Sequence, residues 1–408
     1  MSVNCTILKD AKFRSFFISD IISGFGVGMA TIGANWFVLM KTGSNKYVGI
    51  LLAVNVIAGF VASLFSGVIT DKYNRKVVIF LTHSIRAFFL LLLFVVLANF
   101  DFSMYYLYAF AIINGVGWTI YMSASRSFLQ EILDEKKYIT GNSLLEISLQ
   151  VGMFLAAAAS GFIYKYFDFN TIILVNALMF ILSAITIYFI KYSSAKVEST
   201  TENYFQMLSR GWGFLYDNKA IFILGVVSII PLIVTMIYNV VLPDYVNNTL
   251  GKDSVTFGLA DMSYGLGGLL SGVMMSSLAI KLDTKRLIGI FFIIACANLF
   301  FLSRNTIVFN LYLFSLLLGL CNSSLRILMN SVLMKTVPGD YMGRSMAVWI
   351  GISLISQCIF SLFIGSYLDK HGATVGILIM SLIMGVGFIL FVLNQLLIAK
   401  KNHEKLQE

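Results

Sequence analysis

Gly67-Val68-Ile69-Thr70-Asp71-Lys72-Tyr73-Asn74-Arg75-Lys76 packs four charged side chains between two long apolar runs, at roughly 46–70 and 76–98. A bilayer core of ~30 Å needs ~20 apolar residues in a helix, so each run is long enough to span one. The same alternation continues in both directions. Runs at roughly 14–40, 104–125, 139–164 and 170–191 complete a first set of six, and a second set lies at roughly 219–243, 255–280, 287–303, 306–332, 344–368 and 373–399. Between the sets lies one long polar stretch, Tyr192 to Asp217. The pattern predicts an all-α membrane protein of twelve transmembrane helices in two six-helix bundles, at 1–191 and 219–408, joined by a linker at 192–218.

Composition agrees. Hydrophobic residues make up 58% of the 408 positions and charged residues 12%, about half the charged share of a soluble domain. The net charge of +9 forms no single patch, which argues against nucleic acid as a partner. Of the 29 Lys and Arg, 21 fall on the side that holds both termini and 6 in the opposite loops, with Arg86 and Arg326 inside helices. Because an excess of Lys and Arg marks the cytoplasmic side, both termini are expected there. Asp10 and Lys12 precede the first apolar run and no small-residue cleavage site follows, so that run reads as a retained span. Four scattered cysteines and three histidines suggest no disulfide framework, metal site or cofactor. Few prolines with abundant Asn, Lys and Ile suggest an AT-rich bacterial genome, and hence the bacterial inner (cytoplasmic) membrane.

The halves echo each other. Ser127-Phe-Leu-Gln-Glu-Ile-Leu-Asp-Glu and then Gly141-Asn-Ser follow the fourth span, while Ser331-Val-Leu-Met-Lys-Thr-Val-Pro-Gly-Asp and then Gly343-Arg-Ser follow the tenth. Repeated six-helix halves of the same sense are a transporter plan, with the substrate site between them.

The opening stretch also resembles the signature loop of the major facilitator superfamily, G-x-x-x-D-[RK]-x-G-[RK]-[RK]. Gly67, Asp71, Lys72, Arg75 and Lys76 match it, and Asn74 stands where glycine is usual. Asn tolerates a left-handed backbone, so the turn is expected to survive. The resemblance implies a conformational latch built on Asp71, with Arg75, Arg126 and the start of span eleven at Gly343 and Arg344 as partners. Gly152-Met-Phe-Leu-Ala156-Ala157-Ala-Ala-Ser160-Gly161 in span five resembles the exporters' G-x-x-x-G-P-x-x-G-G without its proline, and its small side chains permit close helix approach. Val337-Pro-Gly-Asp-Tyr-Met-Gly343-Arg344-Ser resembles the branch that holds macrolide efflux pumps and the enterobactin exporter, as does the glycine-rich span eight.

In this superfamily, spans one, four, seven and ten line the central cavity. Here span one carries Asp20, Gly24, Gly28, Thr31 and Asn35 on one stripe, and span four carries Asn114, Trp118, Tyr121 and Ser125. Span seven offers Thr235, Tyr238 and Asn239, and span ten offers Asn322, Arg326 and Asn330. Polar packing between helices explains any one of these alone. Five ionisable side chains fall within spans: Asp20, Arg86, Glu146, Asp261 and Arg326. Each is costly in lipid and therefore a functional candidate. Glu146, with Gln150 one turn on, reads as the leading proton carrier or else as the partner of an arginine. Asp20 reads as a second carrier or a salt bridge near the inner mouth, and Asp261 as a third carrier or an outer-mouth acid. Arg326 suits an anionic group of the substrate. Arg86, on span three, reads as a structural pair or a snorkelling cation.

With no P-loop, an ion gradient is the remaining energy source. The expected function is therefore proton-coupled export of small amphipathic organic molecules, drugs or siderophore-like metabolites, by a monomer that is not an enzyme. Trp36, Trp118, Tyr121 and Tyr238 would give apolar contact. The alternatives are import or symport on the same fold, a lipid-type flippase and, in a different class, a membrane sensor.

Overall fold

A computed structural model describes residues 5–134, 137–192 and 204–404, and within these every regular element is helical. The first six long helices are α1 (Ala11–Thr42), α2 (Asn45–Lys72), α3 (Arg75–Asn99), α4 (Met104–Ile132), α5 (Tyr138–Tyr166) and α6 (Phe169–Tyr188). A shorter α7 (Tyr204–Asp217) follows. Six more complete the chain: α8 (Lys219–Asp244), α9 (Ser254–Lys281), α10 (Thr284–Ser303), α11 (Val308–Thr336), α12 (Gly339–His371) and α13 (Ala373–Glu404). Among the described residues, eleven of these helices are long and apolar enough to cross a membrane. α9 takes the place of the eighth expected span. Its 28 residues suffice in length.

Short polar side chains fix the helix ends. Asp10 caps α1 by accepting from the Lys12 amide at 2.8 Å, and Asp168 caps α6 through the Thr171 amide at 2.7 Å. Each satisfies an amide that the first turn leaves without a partner. Gly43 ends α1 at φ 64°, in the left-handed region where glycine has no steric penalty. Asn74 does not take that conformation. It sits at φ −58° and caps α3, its Oδ1 accepting from the Val77 amide at 3.3 Å. The turn survives the loss of glycine because capping, rather than a left-handed residue, makes it.

The chain divides into two compact units. One comprises Met1–Thr200 with Gly251–Gly265, and the other Thr201–Leu250 with Leu266–Glu408. In the first unit α1 packs on α5 and α6, α4 on α2 and α3, and α3 on α6. In the second, α8 packs on α11, α12 and α13, and α10 on α11 and α13. α9 meets α11 at Gly267, where a Cβ would lie 1.9 Å from the Leu316 carbonyl oxygen, and through Ser271 and Ser324, 2.8 Å apart. The pairing scheme of α1–α6 thus recurs in α8–α13.

Small residues set the closest approaches. A Cβ on Gly28 would lie 2.7 Å from that of Ala156, and one on Gly152 only 2.4 Å from the Ile21 carbonyl oxygen. On the same helix, Gly161 meets the Ser254 carbonyl oxygen and Gly258 meets that of Ala157, each at 2.4 Å from an added Cβ. The small-residue run of α5 therefore packs on α1 with one face and on the first turns of α9 with another. Within the polar stretch between the spans, α7 is a helix seated on α12. Its Gly211 abuts the Arg344 backbone, and Phe214 stacks on Tyr341 at 4.4 Å.

Candidate functional site

Two polar sites stand out, one in each unit. In the first, Asp20 of α1 is 4% exposed and accepts hydrogen bonds from Tyr121 Oη of α4 and Ser148 Oγ of α5. No ion pair engages it among the described residues. It lies ten residues into a 32-residue helix, so it is embedded between three helices rather than salt-bridged at a mouth. Ser148 is also 2.8 Å from the Leu145 carbonyl oxygen. Its single hydrogen therefore faces two acceptors. With Asp20 ionised, that hydrogen points to the carboxylate. With Asp20 protonated, the acid proton can go to Ser148 Oγ, and the serine hydrogen turns to Leu145. Both protonation states are met without moving a side chain.

Beyond Tyr121 the polar layer continues. The His83 ring packs 4.8 Å from Tyr121 and 5.7 Å from Phe180, and Arg86 donates from Nη2 to Asn114 Oδ1 at 2.9 Å. Arg86 is 2% exposed and among the described residues has no acidic partner. It does not snorkel, and its structural partner is the amide of Asn114 rather than an acid. In the sequence His83 counts only among three scattered histidines that suggest no metal site, because a lone histidine on an apolar helix carries no signal of its neighbours.

Glu146 stands elsewhere. Its side chain is 55% exposed and pairs with Arg126, which also donates to Asn142 Oδ1 at 3.2 Å. The arginine-pair reading of Glu146 describes this geometry. The Asp71 side chain lies outside the described residues. Arg75 pairs with Glu131 of α4, which also accepts from Tyr192 Oη. Lys76 donates to the carbonyls of Tyr188 and Ile190 at 2.8 and 2.6 Å, closing the end of α6. Among the described residues nothing lies within 4 Å of a Cβ placed on Gly67, and Arg344 lies over the Tyr341 ring at 5.9 Å.

Asp261 is half-buried on the face of α9 that meets α5, between Gly258 and Gly265, and among the described residues it has no hydrogen-bond or ionic partner. Thr31, Asn35 and Asn114 line a cavity of about 40 Å³ between α1, α2 and α4. That holds a few waters and no organic substrate. Trp36 is buried and stacked on Phe257 at 5.2 Å, Trp118 packs on the core of the first unit, and Gln150 is half-buried on α5.

The second unit holds a larger pocket, about 250 Å³, between α8, α11 and α12. Arg326 and Asn330 meet Ser228, Ser353 and Gln357 there, beside Trp349. Gln357 donates to Ser353 Oγ at 2.9 Å. Trp349 is 1% exposed because Gly225 gives it room, as a Cβ there would lie 1.9 Å from the ring. Arg326 is exposed and among the described residues unpaired. The pocket thus offers one cation and several amide and hydroxyl groups on an apolar wall. Ser353 and Gln357 were legible only as an i, i+4 pair. The other expected members are placed differently. Asn322 is buried and donates to Thr235 Oγ1 at 3.3 Å, tying α11 to α8. Tyr238 is buried and donates to Ser315 Oγ at 2.8 Å, while Asn239 is half-buried.

A family model described as Major Facilitator Superfamily matches residues 16–353. The chain belongs to this superfamily. Macrolide efflux protein A of Streptococcus pyogenes is 21% identical over 271 residues, 65% of this chain and 66% of that protein. The staphyloferrin A transporter of Staphylococcus aureus is 20% identical over 267 residues, 64% of this chain and 66% of that one. The chain spans just under two thirds of the length of these curated relatives. Among solved structures, the nucleoside transporter NupG superposes with a TM-score of 0.74 at 14% identity, covering 94% of this chain and 99% of that one. A bacterial homologue of the human lysosomal transporter Spinster, inward-facing and unoccupied, gives 0.72 at 12% identity, covering 94% and 96%. This major facilitator is thus a multi-pass membrane protein.

Proposed function

We propose that this transporter is a proton-coupled exporter of small amphipathic organic molecules bearing a hydrogen-bonding or anionic group. The observation that carries the reading is Asp20, buried among hydroxyls that serve it whether ionised or protonated. A coupling carboxylate needs that property, and a structural salt bridge lacks it. The half-buried Asp261 is a second proton-carrying candidate. Arg326, Asn330, Ser353 and Gln357 bind the substrate's polar end in the pocket of about 250 Å³, and its apolar part lies along Ile229, Leu232 and Ile350. Two six-helix halves, with both termini cytoplasmic, rock about the substrate in the bacterial inner membrane, and the monomer is the working unit. The name of one relative, a macrolide efflux protein, accords with export, and that of another, a staphyloferrin A transporter, with a small organic substrate.

The test is mass-spectrometric profiling of cells and medium, with and without the protein, in a host stripped of other efflux pumps. Export predicts a compound depleted inside and enriched outside, with the difference lost under a protonophore and in Asp20→Asn. Enrichment inside the cells would reverse the direction. Export unaffected by the protonophore would remove the proton from the mechanism.

A further inference from the structure

Arg86 is the twelfth residue of the 25 in α3. At 1.5 Å per residue it sits more than 15 Å from either helix end, at mid-membrane depth. Its Nη2 is used by Asn114, and its guanidinium carbon lies 3.7 Å from the centre of the Phe180 ring. Among the described residues Nε and Nη1 are buried without a hydrogen-bond partner, and no carboxylate lies within ion-pair distance. A guanidinium at that depth with two unmet N–H groups is unfavourable until an anion meets it.

Arg86 also lines a pocket of about 320 Å³ between α3 and α4. Its rim is Ile85, Phe89 and Ile112, which are 53%, 44% and 46% exposed on the outer surface of these helices. Across from Arg86 stands Gly117, where a Cβ would lie 2.2 Å from the arginine Cδ. The glycine is what allows the cation's stem to lie against α4. Thr82 adds the one other polar side chain, and its hydroxyl is committed to the Val78 carbonyl at 2.7 Å. The pocket is thus an apolar slot, open toward lipid, with a single unmatched cation along it.

We propose that this slot is a lipid-facing binding site for a long-chain fatty acid, with its carboxylate on Arg86 and its chain between α3 and α4. Charge complementarity selects an anion and the lining selects an acyl chain. Depth selects against phospholipid: a carboxylic acid can enter the core neutral and ionise against Arg86, whereas a phosphodiester stays charged at the interface, about half the ~30 Å hydrocarbon core away. The site does not depend on the direction or coupling of transport.

Native mass spectrometry of the detergent-purified full chain, titrated with palmitate and separately with hexadecanol, tests it. One palmitate should bind saturably, at least tenfold more tightly than hexadecanol. Arg86→Gln should erase that preference. Ile113→Trp, which fills the slot and leaves Arg86 in place, should abolish binding of both. Should Arg86→Gln fail to fold, the preference for palmitate in the natural protein and its loss in Ile113→Trp still decide. Palmitate binding unchanged in Ile113→Trp, or no preference over hexadecanol, would overturn the site. Displacement of palmitate by equimolar phosphatidylglycerol would overturn the assignment to a fatty acid.

Discussion

Ser148 shows why Asp20 rather than Glu146 is the residue to test first. A hydroxyl shared between a carboxylate and a backbone carbonyl reorients at no cost in packing, whereas Glu146 holds a cation in a half-exposed ion pair. Asn in place of Asp20 is a standing imitation of the protonated acid, since its amide accepts from Tyr121 and donates to Ser148. Asp20→Asn should therefore fold with an unchanged melting temperature and lose proton-driven accumulation at least tenfold. Substrate exchange in the absence of a gradient should persist. Tyr121→Phe removes a donor to a buried carboxylate and should cost about 1.5–3 kcal/mol of stability, read as a lower melting temperature in detergent. A stable Tyr121→Phe would show that Asp20 carries no charge in the resting protein. Glu146→Gln should leave most of the coupled transport in place. The chemistry of these residues was legible in the sequence, but their depth was not. Asp20 lies ten residues into its helix, and nothing in α1 announces that α4 and α5 cover it. Arg86 likewise gave no hint that Gly117 would admit its stem.

At the scale of elements, the glycines separate packing from signature. Gly152→Ala would place a Cβ 2.4 Å from the Ile21 carbonyl oxygen and 2.6 Å from the Phe25 amide nitrogen. Both are backbone, so α1 must move, at a cost of about 1–3 kcal/mol. Among the described residues Gly67→Ala meets nothing within 4 Å, and it removes a flexible residue from a helix, so its melting temperature should hold or rise slightly. Any loss of transport in Gly67→Ala would then arise in a conformation other than this one. The α5–α9 contact carries a pH prediction. Lys165 bonds Asp253 at 2.7 Å, and that hydrogen bond, with the Thr256 amide, holds the Asp253 carboxyl below its ordinary value of 3.8. A carboxyl so lowered contributes stability above the ordinary range and loses it as pH falls through the lowered value. The stability gap between the natural protein and Asp253→Asn should be small, weakened by salt, constant near neutrality, and closed in strong acid. A gap that widened in acid would contradict the pairing. The spans themselves were legible from apolar runs and charged loops. α7 was hidden because its polar residues outweigh the Gly211, Phe214 and Leu215 face, and Asn74 was misread because its tolerance of a left-handed turn was weighed before its strength as a cap.

For the whole molecule, the repeated pairing scheme and the family match fix the architecture, and the distribution of charge fixes what remains to be measured about it. Twenty-one of 29 Lys and Arg fall on the side assigned to the termini, against six on the other. A reversed molecule would have to carry that excess across the membrane during insertion, against the bias that orients such proteins. The loops allow a direct check. In a background with Cys5, Cys296, Cys321 and Cys358 replaced, a single cysteine at Lys252, in the loop before α9, should react with a membrane-impermeant maleimide in intact cells. A single cysteine at Lys285, in the first turn of α10, should react only after permeabilisation. The reverse pattern would turn the transporter over, placing Arg75, Lys76 and Arg344 outside and the Lys165–Asp253 contact within. Equal labelling of both sites would indicate a mixed population, and the charge asymmetry would then have failed as the determinant of orientation.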